Sequence, residues 1–153
     1  MRLIVYILTI GILLFSLQLR SQDINSYNVN AILDVDNKSI EVKQIMKFRN
    51  TSNIQLNEIY LEDWSNSYIN NETKLAKRIS DEYSRSFSFA QKRQRGFTTI
   101  NDLTGENIKS WHRYNTQLDI IKVELSESIK KDQSITIELN YTIKLPDSKF
   151  TGH

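Results

Sequence analysis

Residues 27 to 48 alternate apolar and polar side chains almost without a break, and so do residues 135 to 143. A period of two suits a strand with one buried face and cannot be read as a helical stripe. In "YNVNAILDV", Tyr27, Val29, Ala31, Leu33 and Val35 share one face. Asp36-Asn37-Lys38-Ser39 is a turn by composition. In "IEVKQIMKFRN", Ile40, Val42, Met46 and Phe48 share a face, with Gln44 the exception. Two alternating runs joined by a short polar turn predict a β-hairpin. After a second turn, Asn50-Thr51-Ser52-Asn53, the segment "IQLNEIYLEDW" continues the pattern but slips by one residue between Leu56 and Ile59, which predicts a bulge.

The period then changes. Leu75, Ile79, Tyr83 and Phe87 recur every four residues, with Ala76 beside them. This spacing predicts one amphipathic helix over about residues 72–84. Asn70 or Asn71 is placed to cap it, and Glu72 suits its positive end. Lys77–Asp81, Arg78–Glu82 and Asp81–Arg85 are opposite charges four apart. Alternation resumes in "FTTINDL", "NIKSWHRYN", "LDIIKVELSESI" and "QSITIELNYTIKLP". Ile121, Val123 and Leu125 share a face, as do Ile135, Ile137, Leu139, Tyr141 and Ile143. The expected fold is an all-β antiparallel sandwich or saddle-like domain, with one inserted α-helix after the third strand.

The first 21 residues stand apart. After Met1-Arg2, "LIVYILTIGILLFSLQL" is apolar apart from Thr9, Ser16 and Gln18, and Leu19 and Ser21 sit at −3 and −1 of a cleavage point before Gln22. Residues 1–21 are expected to form a helical signal peptide, leaving a secreted or periplasmic domain over residues 22–153. The alternative is an uncleaved anchor, since an apolar run of about 17 to 19 residues is at the lower limit for spanning a bilayer. An uncleaved leader is then the one expected membrane contact. Cleavage removes Arg2 and Arg20, which brings 20 basic residues to 18 against 18 acidic ones. A neutral chain gives no electrostatic reason to expect nucleic acid. The chain has no Cys, so it carries neither disulfide staples nor a lipid-bearing cysteine.

No constellation that carries chemistry emerges. Its two histidines are His112, between Trp111 and Arg113, and the terminal His153, with no H-E-x-x-H and no Cys pair to complete a zinc site. No G-x-S-x-G marks a nucleophile, and nothing argues for a Ser–His112 pair. Four scattered glycines make no phosphate cradle. Glu62 and Asp63 point to opposite faces of a strand and read as a solvated edge. "FSFAQKRQRGF" interleaves Phe87, Phe89 and Phe97 with Lys92, Arg93 and Arg95. It reads as a basic loop with its phenylalanines packed inward. No catalytic, cofactor-binding or metal-binding residue is therefore assigned.

The order of these segments resembles the amino-terminal β-domain of the aminopeptidase N-like zinc metallopeptidases, in a bacterial, secreted branch. "YNVNAILDVDNKSIEVKQIMKFRNTS" is similar to the family's opening hairpin and its Asn-Thr-Ser turn, and "LNEIYLEDWSNSY" to the strand that follows. "TKLAKRISDEY" is similar to an inserted helix, and "RGFTTI" and "ITIELNYTIKLPDSKFTG" to later strands ending in Tyr-x-x-x-x-Pro. The resemblance covers roughly residues 26 to 152. It implies a non-catalytic scaffold domain that packs against a catalytic domain and helps wall its cleft. In the family, zinc is held by H-E-x-x-H and a downstream Glu in that other domain, and a Gly-x-Met-Glu-Asn element binds the substrate amine. This chain reaches His153 before any such position, and before the β-domain's expected final strands, so no functional residue carries over. The competing expectation is a free-standing extracytoplasmic binding module for glycan or protein, with Trp64, Tyr68, Trp111 and Tyr114 as an exposed face. The scaffold reading instead expects Trp64 and Tyr68 to be buried, anchoring the turn into the helix.

Overall fold

The computed structural model describes residues 25–82, 85–114 and 116–151. The expected signal helix and its cleavage point lie outside them. Seven strands form two antiparallel sheets: β1 (Ser26–Asp34), β2 (Ser39–Arg49), β3 (Leu56–Glu62), β4 (Phe97–Thr104), β5 (Ile108–Tyr114), β6 (Gln117–Ile129) and β7 (Ser134–Lys144). Sheet A has the order β1-β2-β7-β4 and sheet B the order β3-β6-β5. One α-helix, α1 (Lys74–Asp81), lies between β3 and β4.

The hairpin β1–β2 forms, with Tyr27 opposite Met46 and Val29 opposite Gln44, but its turn spans residues 35–38, one position earlier than expected, so Val35 leaves the strand face and Ser39 joins β2. Its turn is held by Asp34, whose carboxylate accepts from the backbone N–H of Asn37 at 2.9 Å and from its side-chain amide at 2.7 Å. Lys38 takes a positive φ of 50° there, the left-handed conformation that reverses a tight turn. The slip between Leu56 and Ile59 is a real irregularity: the β3–β6 register shifts between Leu56 and Glu58. A second bulge, between Ile100 and Asp102 in β4, was not legible. It puts Leu103, rather than Asp102, in the row of Thr98 and Ile100, and Leu103 is buried.

The core lies between the sheets. Met46, Ile135, Ile137 and Leu139 of sheet A meet Ile59, Ile121, Val123 and Leu125 of sheet B. Val123 and Ile137 are completely buried. Each such side chain stabilises the fold by about 1.5–3 kcal/mol. A satellite cluster of Ala76, Phe87 and Phe150 sits under α1.

The helix is shorter than its periodicity predicts, and its cap lies elsewhere. The Thr73 hydroxyl accepts from the Ala76 N–H at 3.2 Å and donates to the Ser67 carbonyl at 2.6 Å. Asn70 instead accepts from Glu72 N–H in a turn before the helix. Asn71 is held by Arg95, which donates to its Oδ1 at 2.6 Å, and donates in turn to the Ser88 carbonyl. Of the expected charge pairs, Arg78–Glu82 forms at 3.1 Å on the exposed side. Tyr83 and Ser84, the expected last turn, lie outside the described residues. Phe87 falls in a turn beyond the helix and is buried edge-on against Phe150 and Tyr68.

Candidate functional site

Where β3 ends, Trp64 does not anchor the chain. A 3-10 turn, Trp64–Tyr68, follows Asp63, and its buried residues are Asn66 and Ser67. Trp64 is 64% exposed, against expectation. Tyr68 is half-buried on Phe87. The corner is fixed by polar groups. Asp63 Oδ2 accepts from Arg113 Nη2 at 2.6 Å, and its Oδ1 accepts from the Thr98 hydroxyl at 2.6 Å. Asn66 donates to the Leu118 carbonyl and accepts from Thr98 N–H at 3.2 Å. Four strands, β3 to β6, are tied together at this one end. Asp63 is thus not part of a solvated edge, whereas Glu62 is exposed.

Trp64 lines a groove of about 410 Å³. Tyr27, Gln44 and Tyr141 line its sheet A side, and Leu61, Glu62 and Trp64 its sheet B side. The arrangement follows from the strand count. Four strands face three, so among the described residues the outermost strand of the larger sheet has no strand over it. The side chains of β1 that share the core-facing side with Met46 and Val42 are Tyr27, Val29, Ala31 and Leu33. Tyr27 is 60%, Val29 53% and Leu33 58% exposed. Gln44, the polar exception on β2, lies on the groove floor, where its Oε1 accepts from the Tyr141 hydroxyl at 2.8 Å. Burial, and then the Asp63 charge, push the Tyr141 phenol up from its ordinary value.

The outer face of sheet B carries a second polar cluster. Tyr60 donates to Glu58 at 2.6 Å and meets the Tyr114 hydroxyl at 3.1 Å, and the two rings are parallel to within 7°. Lys122 binds Glu58 at 2.6 Å and lies 3.6 Å from Glu124. The Lys122 hydrogen bond, then that of Tyr60, hold Glu58 below the ordinary carboxylate value, and Glu58 in turn raises both Tyr60 and Lys122. His112 packs edge-on against Tyr114 on this face. Among the described residues no group of three or more His, Cys, Asp or Glu is placed to hold a metal ion.

The four aromatics considered as one binding face are dispersed. Trp64 lines the groove, and Tyr68 joins the satellite cluster. Tyr114 stacks on the outside of sheet B. Trp111 lies on β5, the opposite edge of that sheet from β3, opposite Val123 in register and 36% exposed. The basic loop is also divided. Lys92 and Arg93 are exposed, whereas Arg95 is buried with its guanidinium 4.5 Å over the Phe87 ring. Phe89 points outward, contrary to expectation, and Phe97 is half-buried. No protein-family model matches the chain, and no curated protein matches it.

Proposed function

We propose that this chain is a non-catalytic, extracytoplasmic β-sandwich scaffold that works by packing against another folded unit. That is the role the resemblance to aminopeptidase N-like amino-terminal domains implies, with a zinc-bearing catalytic domain as the partner in the intact family. The observation that supports it best is the uncovered row Tyr27, Val29 and Leu33 beside an open groove. A contiguous apolar strip on a sheet face is a contact surface waiting for a partner. The direct test is to supply zinc and aminoacyl substrates to homogeneous full chain. No turnover is expected, and sustained turnover that copurifies with the protein overturns the scaffold reading. Sequencing the amino terminus of the exported protein tests the leader, with Gln22 expected first.

The second reading, a free-standing module for glycan or protein, gains from the exposure of Trp64. Calorimetric titration with soluble glycans separates the two. A saturable change that Trp64→Ala abolishes supports the module, and a flat response to every glycan supports the scaffold.

A further inference from the structure

Within the scaffold reading, on which this inference rests, the structure specifies what kind of chain covers the uncovered row. We propose that the free edge of β3 is an acceptor for one extended strand of a partner polypeptide. That strand has alternating apolar and polar residues and a basic side chain at its Glu62 end.

Two independent features meet at this place. The first is hydrogen-bonding capacity. Among the described residues β3 pairs with β6 and with no other strand. Its opposite edge therefore presents backbone N–H and C=O groups in strand geometry, which a further strand satisfies better than any side chain. From Glu58 to Glu62 the register with β6 is regular, so this stretch of edge is not bulged. The second is the shelf beneath. An added strand lies about 4.8 Å from β3 and about 10 Å above the other sheet. At that position it covers the side of β1 that carries Tyr27 and Val29, and its inward side chains fill the groove lined by Tyr27, Leu61 and Trp64. Sheet B then has four strands facing four.

Charge selects the occupant. Asp63 is engaged by Arg113 and Glu58 by Lys122, but Glu62 is exposed at the groove rim and has no ion-pair partner among the described residues. The partner strand needs a Lys or Arg there. A second copy of this chain does not supply one readily. Strands β1, β3 and β4, three of the sheet edges, contain no Lys or Arg. The fourth edge, β5, contains Lys109 and Arg113, but its pairing with β6 is irregular near both ends, between Ile108 and Ser110 and between Arg113 and Tyr114. Bulged edges resist strand addition.

The test is a backbone-amide NMR titration of the full chain with the peptide acetyl-Thr-Val-Thr-Val-Thr-Val-Lys-amide. A second peptide ends in Glu in place of Lys. Shifts are expected at Glu58–Trp64 and at Tyr27–Leu33, with the Lys peptide binding about tenfold tighter than the Glu peptide. Glu62→Lys should reverse that order, and Val29→Glu, at an exposed site, should weaken both without lowering the melting temperature. Shifts confined to other strands, or none with either peptide, overturn the acceptor edge. Dilution-dependent shifts of the same β3 amides without peptide overturn it in favour of a second copy. The zinc assay is separate: turnover there removes the scaffold reading while leaving this edge measurable, and a failed titration with no turnover leaves the scaffold reading without this site.

Discussion

Arg113 Nη2 donates to Asp63 Oδ2 at 2.6 Å, joining β5 to the corner after β3 across the end of the sandwich. The same guanidinium donates from Nη1 to the Leu118 carbonyl at 2.9 Å. Both side chains are largely shielded from solvent, so loss of one leaves the other charge poorly compensated. Arg113→Met should lower stability by about 2 kcal/mol, read from urea unfolding at constant slope. Arg113→Lys should recover only part of it, because one ammonium cannot span both acceptors. An unchanged midpoint for Arg113→Met contradicts this account of the corner.

The insertion between β3 and β4 depends on Arg95 and Phe87. Arg95 donates to the carbonyls of Ala90 and Phe87 and to Asn71 while lying over the Phe87 ring. Burial lowers its pKa from the ordinary arginine value. Phe87→Ala should cost about 3–4 kcal/mol, the usual penalty for emptying a buried aromatic site. Hydrogen exchange should show the loss first in α1, ahead of the core strands β6 and β7. Uniform loss across both sheets would mean that the insertion and the sandwich open as one unit.

Asn50 is buried at the start of the turn after β2. Its amide donates to the carbonyls of Ile54 and Ile129, and its oxygen accepts from the N–H and hydroxyl of Ser52. Asn50→Ala strands several buried polar groups and should destabilise by about 2–3 kcal/mol. Thermal melts of the variant beside Thr51→Ala, which changes an exposed neighbour, provide the comparison. Equal melting temperatures for the two variants would refute it.

The cluster on the outer face of sheet B sets a pH response at both extremes. Glu58 is held below its ordinary 4.5, chiefly by the Lys122 hydrogen bond. The folded chain therefore takes up its proton later than the unfolded chain, and this contribution to stability disappears as pH falls below about 4.5. Lys122 is raised above its ordinary 10.5, first by Glu58. Its contribution is complete below that pH and lost as pH climbs through the raised value. These groups face solvent, so added salt should flatten both limbs. Melting temperature against pH for Glu58→Gln should lose curvature at both ends, and curves superimposable on those of the parent would rule the cluster out as the source.

How much of this was legible depends on what fixes each feature. The strands follow from side-chain period, a local property, and the alternating faces of β2, β6 and β7 are those the sequence spacing predicts. The cap of α1 was misplaced because Asn70, Asn71 and Thr73 are all able to cap. Asn71 is withdrawn by Arg95, 24 positions away. Trp64 was expected inward because large aromatics usually are, but the corner is built from Asp63, Asn66 and Thr98, whose partners are remote in sequence. The shelf was hidden for a similar reason. Tyr27, Val29 and Leu33 read as core by period, and only the unequal strand count of the two sheets reveals that no described strand covers them.

The middle of sheet A has a kinetic consequence. Strand β7 pairs with β2 on one side and β4 on the other, and it follows the six other described strands in sequence. During synthesis the hairpin β1–β2 and the strand β4 must wait, unjoined, until β7 emerges to bridge them. Ile40 meets Ile143 only across that long interval. Folding should therefore be slow and close to all-or-none for sheet A. A ribosome stalled before residue 134 should carry an apolar hairpin in need of a chaperone.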